Sequence, residues 1–216
     1  MRGSKRHVFV TVEGVEGAGK STLVAVLAEA LRGRGVEPLV TREPGGTPLG
    51  ERVRALFLDR AAAIDPLAEA MLMAASRAQL VRVVIRPALE RGAFVLCDRF
   101  WDASVAYQGY GRSLGADCVL ALNRIATEDL APDLTLLLDL PQEEAQRRMH
   151  ARDGELDRME LESEAFHRRV AEGYAALARR FSERFVVLDA RQPSEALAAQ
   201  ALAEIERRGG VQGAAR

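Results

Sequence analysis

The residues best suited to chemistry form a short stretch near the N-terminus, Gly14-Val15-Glu16-Gly17-Ala18-Gly19-Lys20-Ser21. It fits G-x-x-x-x-G-K-[ST], the pattern of a phosphate-binding P-loop. The glycines let backbone N–H groups curl around an anion, Lys20 brings a positive charge to the β- and γ-phosphates, and Ser21 offers a hydroxyl to Mg²⁺. An apolar run, Val8 to Val12, precedes the motif and an amphipathic stretch follows it. We therefore predict a nucleoside triphosphate site that extends from Gly14 to Thr22.

A second stretch, Phe94 to Arg99, is an apolar and β-branched run that ends in an acid and a base. An Asp at the carboxyl end of a parallel strand faces the ligand crevice, where it can hold Mg²⁺ or its waters. Asp139, which follows Leu136 to Leu138, competes for that role. We favour Asp98 together with Ser21 as the metal site, because Arg99 adds an anion-binding group. The alternative is that Asp98 only caps the next turn.

Several arginines fall where the chain turns. Arg42 precedes the turn-forming Pro44 to Gly46, which predicts a rigid exposed loop on the crevice side. Arg152 and Arg158 flank the glycine-containing segment 153–157, where a mobile lid can close over phosphates and neutralise the charge that develops during transfer. Other arginines nearby are more typical of solvated helix surface: Arg147, Arg148, Arg168 and Arg169.

The elements that must position these groups alternate along the chain. Strand-like runs are predicted at Val8–Val12, Val36–Thr41, Ala93–Cys97, Leu134–Asp139 and Phe185–Leu188. Helical periodicity predicts helices at about 20–32, 48–58, 66–90, 116–129, 142–152, 160–182 and 194–208. Such alternation predicts an α/β fold, with a five-stranded parallel sheet flanked by helices in three layers. We expect one domain over 1–208, with a lid at about 150–160 and a flexible tail at 209–216.

The composition narrows the possible partners. The chain has 216 residues and a formal net charge of −1, so it exerts no general attraction on nucleic acid or membranes, and local basic groups must hold any anionic ligand. No run approaches the ~20 apolar residues needed to span a bilayer. Cys97 lies inside an apolar strand, which predicts a buried free thiol rather than a disulfide. We expect a cytoplasmic protein without nucleic-acid or membrane partners.

Further pieces of the sequence identify a family when they are taken with the P-loop. These pieces are Val12-Glu13-Gly14, Thr41-Arg42-Glu43-Pro44-Gly45-Gly46-Thr47, Ser76-Arg77-Ala78-Gln79, Asp98-Arg99-Phe100, Ala106-Tyr107-Gln108-Gly109 and Gly154-Glu155-Leu156-Asp157-Arg158-Met159-Glu160. Together they resemble the thymidylate kinase family, which phosphorylates dTMP to dTDP using ATP. The P-loop alone is generic, whereas the combination is specific and covers nearly the whole chain.

The resemblance implies a P-loop kinase fold, ATP and dTMP as substrates, Mg²⁺ as cofactor, and a homodimer. It implies that Arg42 and Arg99 hold the acceptor phosphate or its loop, and that Arg77 and Gln108 hydrogen-bond the thymine edge. It also implies that Glu13 is an acid near the sugar and the metal. Tyr107 resembles the residue beside the sugar, whose close approach favours deoxyribose over ribose. The implied dTMP-binding residues are Glu13, Arg42, Pro44, Met73, Arg77, Arg99, Tyr107 and Gln108.

Relatives place a transition-state arginine either in the P-loop or in the lid. Gly17 and Ala18 leave this P-loop without an arginine, which resembles the bacterial type and assigns the role to Arg152 or, as an alternative, Arg148. Without an arginine in the P-loop, the negative charge of the transferring phosphoryl group is not fully neutralised unless another element supplies an arginine. The implied catalytic residues are therefore Lys20, Arg99 and Arg152.

One position departs from the family pattern. Many relatives place an aromatic ring four residues before the thymine-binding arginine, where this chain has Met73. Positions 73 and 77 share a helix face, so the thioether can cover the base while Arg77 reaches its edge. Met73 as core filler beside Met71 and Leu72 is the alternative.

Three other functions remain open from the sequence. A kinase for another nucleoside monophosphate or for a nucleoside has the same architecture. A P-loop GTPase or ATPase switch is disfavoured because the sequence contains neither N-K-x-D nor D-x-x-G. A non-catalytic interaction protein is disfavoured because both Lys20 and Arg99 are present. For the dimer, helix 66–90 has apolar residues to spare, although they can also pack on the sheet: Met71, Leu72, Leu80, Val84 and Ile85.

Overall fold

A parallel sheet organises the protein, whose computed structural model describes residues 8–151 and 155–210. The strands are β1 (Val8–Gly14), β2 (Pro38–Arg42), β3 (Phe94–Asp98), β4 (Leu134–Asp139) and β5 (Phe185–Asp189). They form one five-stranded sheet in the order β2-β3-β1-β4-β5, and every neighbouring pair is parallel. The predicted α/β class and sheet are confirmed.

Helices cover both faces of the sheet. They are α1 (Lys20–Arg32), α2 (Pro48–Leu58), α3 (Pro66–Leu80), α4 (Arg86–Glu90), α5 (Trp101–Ser104), α6 (Ala116–Thr127), α7 (Gln142–His150), α8 (Glu164–Arg180) and α9 (Ser194–Arg207), with π-helical segments at Val81–Ile85 and Val105–Gly111. Several begin at local caps. Thr47 accepts from the N–H of Gly50, Asp65 from that of Leu67, and Ser163 from that of Phe166.

Alternate residues of the strands serve two cores. Val10 faces the cluster formed with α1 and α9, whereas Phe9 faces the cluster formed with α5, the second π-helical segment and α8. A strand buried on both faces must be apolar along its whole length, which is why β1 reads as a continuous hydrophobic run. The three-layer arrangement follows from this division.

The strand order reverses beside β1, and this places the ligand crevice. In open parallel sheets, ligands bind beyond the carboxyl ends of the strands at such a switch point. Gly14 ends β1, and Asp98 pairs with Val12 of β1 at the end of β3. The P-loop and the Asp98-Arg99 pair therefore meet at one edge of the sheet.

Several helix boundaries differ from the sequence prediction by one to four residues, and three differences have a clear local cause. Helix 66–90 is interrupted by the π-helical turn, where the N–H of Arg86 donates to Val81 O, because Pro87 has no N–H and its ring crowds the preceding turn. The helix predicted at 160–182 begins at Glu164 instead, since Ser163 caps it. The helix predicted to reach 129 ends at Thr127, because Glu128 takes a positive φ of 52°.

The sequence prediction omitted the helical segment Trp101–Gly111. Its two glycines and β-branched Val105 weaken a helix on propensity alone. Close packing against α8 stabilises it instead: a Cβ on Gly111 would come within 2.7 Å of the Phe166 ring, and one on Gly173 within 2.9 Å of Tyr110. Tertiary contacts that only glycine permits thus decide this segment.

Candidate active site

A cavity of about 590 Å³ lies at the carboxyl ends of β1 and β3. Most of the predicted site residues line it: Glu16, Gly17, Gly19, Lys20, Ser21, Thr22, Arg42, Pro44, Met73, Asp98, Arg99, Tyr107 and Gln108. Glu13 and Arg77 are not part of its wall, and both are fully buried. The cavity wall thus combines the nucleotide-binding motif with residues predicted for the acceptor.

The P-loop backbone holds its lysine in place. Lys20 Nζ donates to Val15 O at 2.7 Å, which curls the side chain back over the loop. Burial, and then the nearby Arg99, lower the pKa of Lys20 to about 8, while Glu16 and Asp98 oppose that shift. Gly14 has a φ of 144°, and a Cβ there would lie 2.7 Å from Leu138 O, so the loop needs glycine at its start.

Two oxygen donors meet beside the loop. Ser21 Oγ donates to Asp98 Oδ2 at 2.6 Å. Asp139 is exposed and is not part of the cavity wall, although β4 also neighbours β1. The geometry therefore favours Asp98 over Asp139 as the partner of Ser21.

Arg99 is held at the centre of the site by its backbone and four partners. Its φ is 68°, and its N–H donates to Val12 O at 3.0 Å, which turns the side chain towards the P-loop. Its guanidinium donates to Gly14 O at 3.0 Å, to Tyr174 Oη at 2.9 Å and to Glu16 Oε1 at 3.0 Å. Donation to the Tyr107 hydroxyl completes the set. The side chain is only 15% exposed, so its charge acts in a poorly screened environment.

The pKa values of Glu16 and Glu13 are shifted in opposite directions by their surroundings. Burial opposes ionisation of Glu16, yet Arg99 and Lys20 lower its pKa below the ordinary value. Glu13 is completely buried, and burial, followed by the charge of Asp102, raises its pKa to about 8 despite Arg99. Glu13 accepts from the N–H of Phe100 at 2.7 Å and from Tyr174 Oη at 2.9 Å. It therefore supports the Arg99 region from below the cavity wall.

Arg77 is satisfied entirely within the protein. Its Nε donates to Glu43 Oε2 at 2.7 Å, and its Nη2 also pairs with that oxygen. The remaining donors reach Ser104 Oγ at 3.1 Å, Asn123 Oδ1, and Phe100 O at 3.3 Å. All five N–H groups of a guanidinium are thus engaged. The predicted contact with a thymine edge stays a prediction, and it requires one of these bonds to be shared or exchanged.

Three residues predicted around the base and sugar, Met73, Tyr107 and Gln108, come from two elements, α3 and the second π-helical segment. Met73 of α3 lines the cavity and also packs with Val53 and Phe57, so it serves the wall and a small core cluster together. The Tyr107 hydroxyl donates to Glu16, and the Arg99 guanidinium lies 5.0 Å from the centre of the Tyr107 ring. Gln108 is 2% exposed and forms part of the same wall.

The predicted lid is described in part. Arg152 lies outside the described residues, whereas the alternative, Arg148, lines the cavity and donates to Glu144 and to Ala190 O. Beyond the gap, Asp157 caps a turn by accepting from the N–H of Met159 and of Glu160. Asp157, Met159 and Glu160 all contribute to the cavity wall.

Sequence reasoning missed three functional candidates. Arg54 of α2 lines the cavity and donates to Pro44 O at 3.3 Å; burial, followed by Arg42, lowers its pKa. Tyr174 of α8 holds both Arg99 and Glu13. Glu69 of α3 is a fully buried acid, and a lone Glu on an amphipathic helix gives no warning of burial. Of the three, only Arg54 had a sequence cue, since it follows the Arg42 loop by a few helical residues.

The comparisons with known proteins agree on one family. The thymidylate kinase family model matches residues 12–201. The thymidylate kinase of Deinococcus radiodurans is 51% identical over 202 residues, covering 94% of this chain and 98% of that protein. That of Alkalilimnicola ehrlichii is 52% identical over 193 residues, covering 89% of each. That of an Exiguobacterium species is 51% identical over 209 residues, covering 95% of this chain and 98% of that protein.

Proposed function

The chain belongs to the thymidylate kinase family, and we propose from this premise that it phosphorylates dTMP with ATP. A dTMP phosphate oxygen would form a bond to the γ-phosphorus while the bond from that phosphorus to the β,γ-bridging oxygen breaks, giving dTDP and ADP. The observation that carries the proposal is the convergence of Lys20, Ser21, Asp98 and Arg99 on one cavity wall, with Tyr107 and Gln108 beside them.

Catalysis in this proposal is positioning and charge neutralisation. An acceptor phosphate oxygen is already anionic near neutral pH, so no general base is needed for an in-line transfer. Lys20 reaches the β- and γ-phosphates, and Arg99 lies between the P-loop and the acceptor side. The Arg99 guanidinium pairs with the Glu16 carboxylate. It would exchange this partner for the phosphate oxygens of the substrate, because a guanidinium binds phosphate as well as carboxylate. Arg42 and Arg54 complete the acceptor-phosphate pocket.

The residues present fit Mg²⁺. Ser21 Oγ and Asp98 Oδ2 are hard oxygen donors 2.6 Å apart, and Mg²⁺ commonly uses one or two such protein ligands together with waters and substrate phosphates. When bound, the ion would neutralise charge on the β- and γ-phosphates. Asp98 would hold the ion or its waters, while the Ser21 hydroxyl turns from Asp98 to the metal.

The acceptor base would lie between Met73 and Tyr107. Gln108 would hydrogen-bond the base edge from the cavity wall, and Arg77 would do so by sharing one of its internal bonds. Tyr107 would stand beside C2′ of the sugar, where close approach disfavours a ribose hydroxyl. Glu13, neutral at pH 7 because of its raised pKa, would support the Arg99 backbone turn from below.

Arg152 would supply the missing charge from the lid. Arg148 also lies on the cavity wall, but its guanidinium already donates to Glu144 and to Ala190 O. Closure of the lid over the phosphates would also exclude water, which otherwise competes as acceptor.

A homodimer in the cytoplasm completes the proposal. Leu80 and Ile85 are fully buried, so they serve the core, whereas Met71 is 53% exposed and Leu67, one turn earlier on α3, is 46% exposed. This α3 surface is the proposed dimer contact. Sedimentation velocity measures the oligomeric state of the wild type and of Met71→Glu. We expect a dimer for the wild type and a monomer for the variant, and a wild-type monomer contradicts the proposed dimer. Among the described helices, none is long and apolar enough to cross a membrane.

The test is an ADP-release assay with ATP, Mg²⁺ and a panel of acceptors: dTMP, dUMP, UMP, CMP, AMP, GMP and thymidine. We expect a strong preference for dTMP, and Lys20→Ala should lower turnover by orders of magnitude because transition-state charge loses its partner. Preference for another acceptor would contradict the substrate assignment. Near wild-type turnover of Lys20→Ala would contradict the mechanism.

A further inference from the structure

Glu69 lies on α3 with no solvent exposure, and three residues donate hydrogen bonds to its carboxylate. Gln108 Nε2 donates to Oε1 at 2.9 Å. Arg112 Nε donates to Oε1 at 3.2 Å and its Nη2 to Oε2 at 3.1 Å. Arg158 Nη2 donates to Oε2 at 2.9 Å. A buried carboxylate is costly unless it is paired in this way, so the cluster has one favoured arrangement.

The carboxylate decides which end of the Gln108 amide faces it. A carboxylate only accepts hydrogen bonds, whereas an amide has one donating and one accepting end. The NH₂ group must therefore point at Glu69, and the amide cannot flip without placing oxygen against oxygen. Gln108 Oε1, the other end, is buried and has no hydrogen-bond partner among the described residues. A lone buried acceptor on a cavity wall is suited to a ligand donor.

We propose that Glu69 is a specificity-positioning residue: it fixes the Gln108 amide so that Oε1 accepts from the N3–H of the acceptor base. The inference rests on the proposed function and adds to it a residue that never touches substrate. Thymine and uracil carry a donor at N3, whereas cytosine carries an acceptor there. Glu69 would thus exclude cytosine-type bases through Gln108, by leaving two acceptors face to face.

The substitution Glu69→Gln tests the role of Glu69, because the amide introduced at position 69 has a preferred orientation. The Oε2 position receives two guanidinium donors, from Arg112 and Arg158, whereas Oε1 receives only Arg112 Nε besides Gln108, so the amide oxygen should stay at Oε2. The new NH₂ group then faces Gln108, which must flip to accept it. The flipped Gln108 presents a donor to the base, which suits a cytosine-type N3.

The assay compares kcat/KM for dTMP, 5-methyl-dCMP and 3-deaza-dTMP. The second substrate keeps the methyl group but carries an acceptor at N3, and the third keeps the shape of thymine without the N3 donor. The wild type should prefer dTMP to 3-deaza-dTMP by about tenfold, the typical effect of an unpaired buried acceptor. Glu69→Gln should lower the dTMP to 5-methyl-dCMP ratio by about tenfold or more. A residue that only stabilises the fold would lower both rates together.

Glu162→Gln is the matched control. Glu162 Oε1 pairs with Arg112 Nη1 at 2.6 Å, whereas the hydrogen bond of the Gln108 side chain in the described residues goes to Glu69, so the substrate ratios should not change. An unchanged dTMP to 5-methyl-dCMP ratio in folded Glu69→Gln overturns the proposal.

Two further results decide the matter if Glu69→Gln does not fold. Equal kcat/KM of the wild type for dTMP and 3-deaza-dTMP would refute it. So would a Gln108→Leu variant that still discriminates between these two substrates, whereas loss of discrimination in that variant supports the Gln108 contact through which Glu69 acts. Failure of the wild type to phosphorylate dTMP at all would instead refute the proposed function.

Discussion

Replacing Arg77 by methionine should destabilise the protein strongly, because Arg77 and Glu43 form a buried ion pair. Their side chains are 0% and 1% exposed. Methionine keeps most of the apolar volume but leaves the Glu43 carboxylate without its partner. It also leaves the Ser104 hydroxyl and the Asn123 carbonyl oxygen without the donors that Arg77 provides.

The expected loss is about 3–5 kcal/mol, the usual result of removing one partner of a buried pair. Total stabilities are about 5–15 kcal/mol, so this is a large share. An exposed pair gives the matched control: Arg124 Nε and Asp129 Oδ1 are 2.8 Å apart, but the side chains are 75% and 71% exposed. Arg124→Met should leave the free energy of unfolding close to that of the wild type, because exposed ion pairs contribute little.

The loss should also depend on pH. Burial raises the pKa of Glu43, and Arg77 opposes that rise, so the pKa should increase further in Arg77→Met. The folded variant then keeps a proton that the unfolded chain releases above its ordinary pKa of 4.5. Stability must fall as pH rises through that window, so the destabilisation should be smaller at about pH 5 than at pH 8.

Urea unfolding followed by circular dichroism measures the free energies, and a second variant separates the ion pair from packing. Glu43→Gln combined with Arg77→Met removes the stranded charge, so it should recover part of the loss and the pH dependence. A loss below about 1 kcal/mol for Arg77→Met would refute the reasoning. So would a double variant no more stable than the single one.

Three further predictions follow from the site. Arg152→Ala should lower kcat more than it weakens ATP binding, and a pure affinity defect, or a larger kcat loss in Arg148→Ala, would contradict the lid assignment. Because burial raises the pKa of Glu13 from 4.5 to about 8, the folded state holds an extra proton between these values and the free energy of unfolding should fall as pH rises through them. Glu13→Gln should flatten that decline in urea titrations, whereas an unchanged profile would contradict the shift. Gly14→Ala should lower stability by about 1–3 kcal/mol and impair ATP binding, since its Cβ would meet Leu138 O at 2.7 Å; wild-type thermal stability would contradict this.

The sequence by itself determined the sheet, most helix boundaries and the family. A strand buried on both faces must read as an apolar run, and a P-loop needs its glycines, lysine and serine in a fixed order, so both features are local. The prediction of Cys97 as a buried free thiol is confirmed for the same local reason. Residues such as Lys20 and Arg99 were found because their motif places them beside the crevice.

Only the tertiary structure decided which polar groups face each other. Glu69 lies on α3, Gln108 and Arg112 on the second π-helical segment and its C-terminal cap, and Arg158 in the turn before α8. Nothing in the sequence separation of these three regions says that the Glu69 carboxylate binds the other three side chains. The same holds for Arg77, whose motif suggested a ligand contact while its five donors meet acceptors from distant segments. Burial converts such pairings from weak surface contacts into strong constraints, because unpaired polar groups are costly without water. Local patterns therefore specified where the site lies, and long-range packing specified the orientation of its side chains.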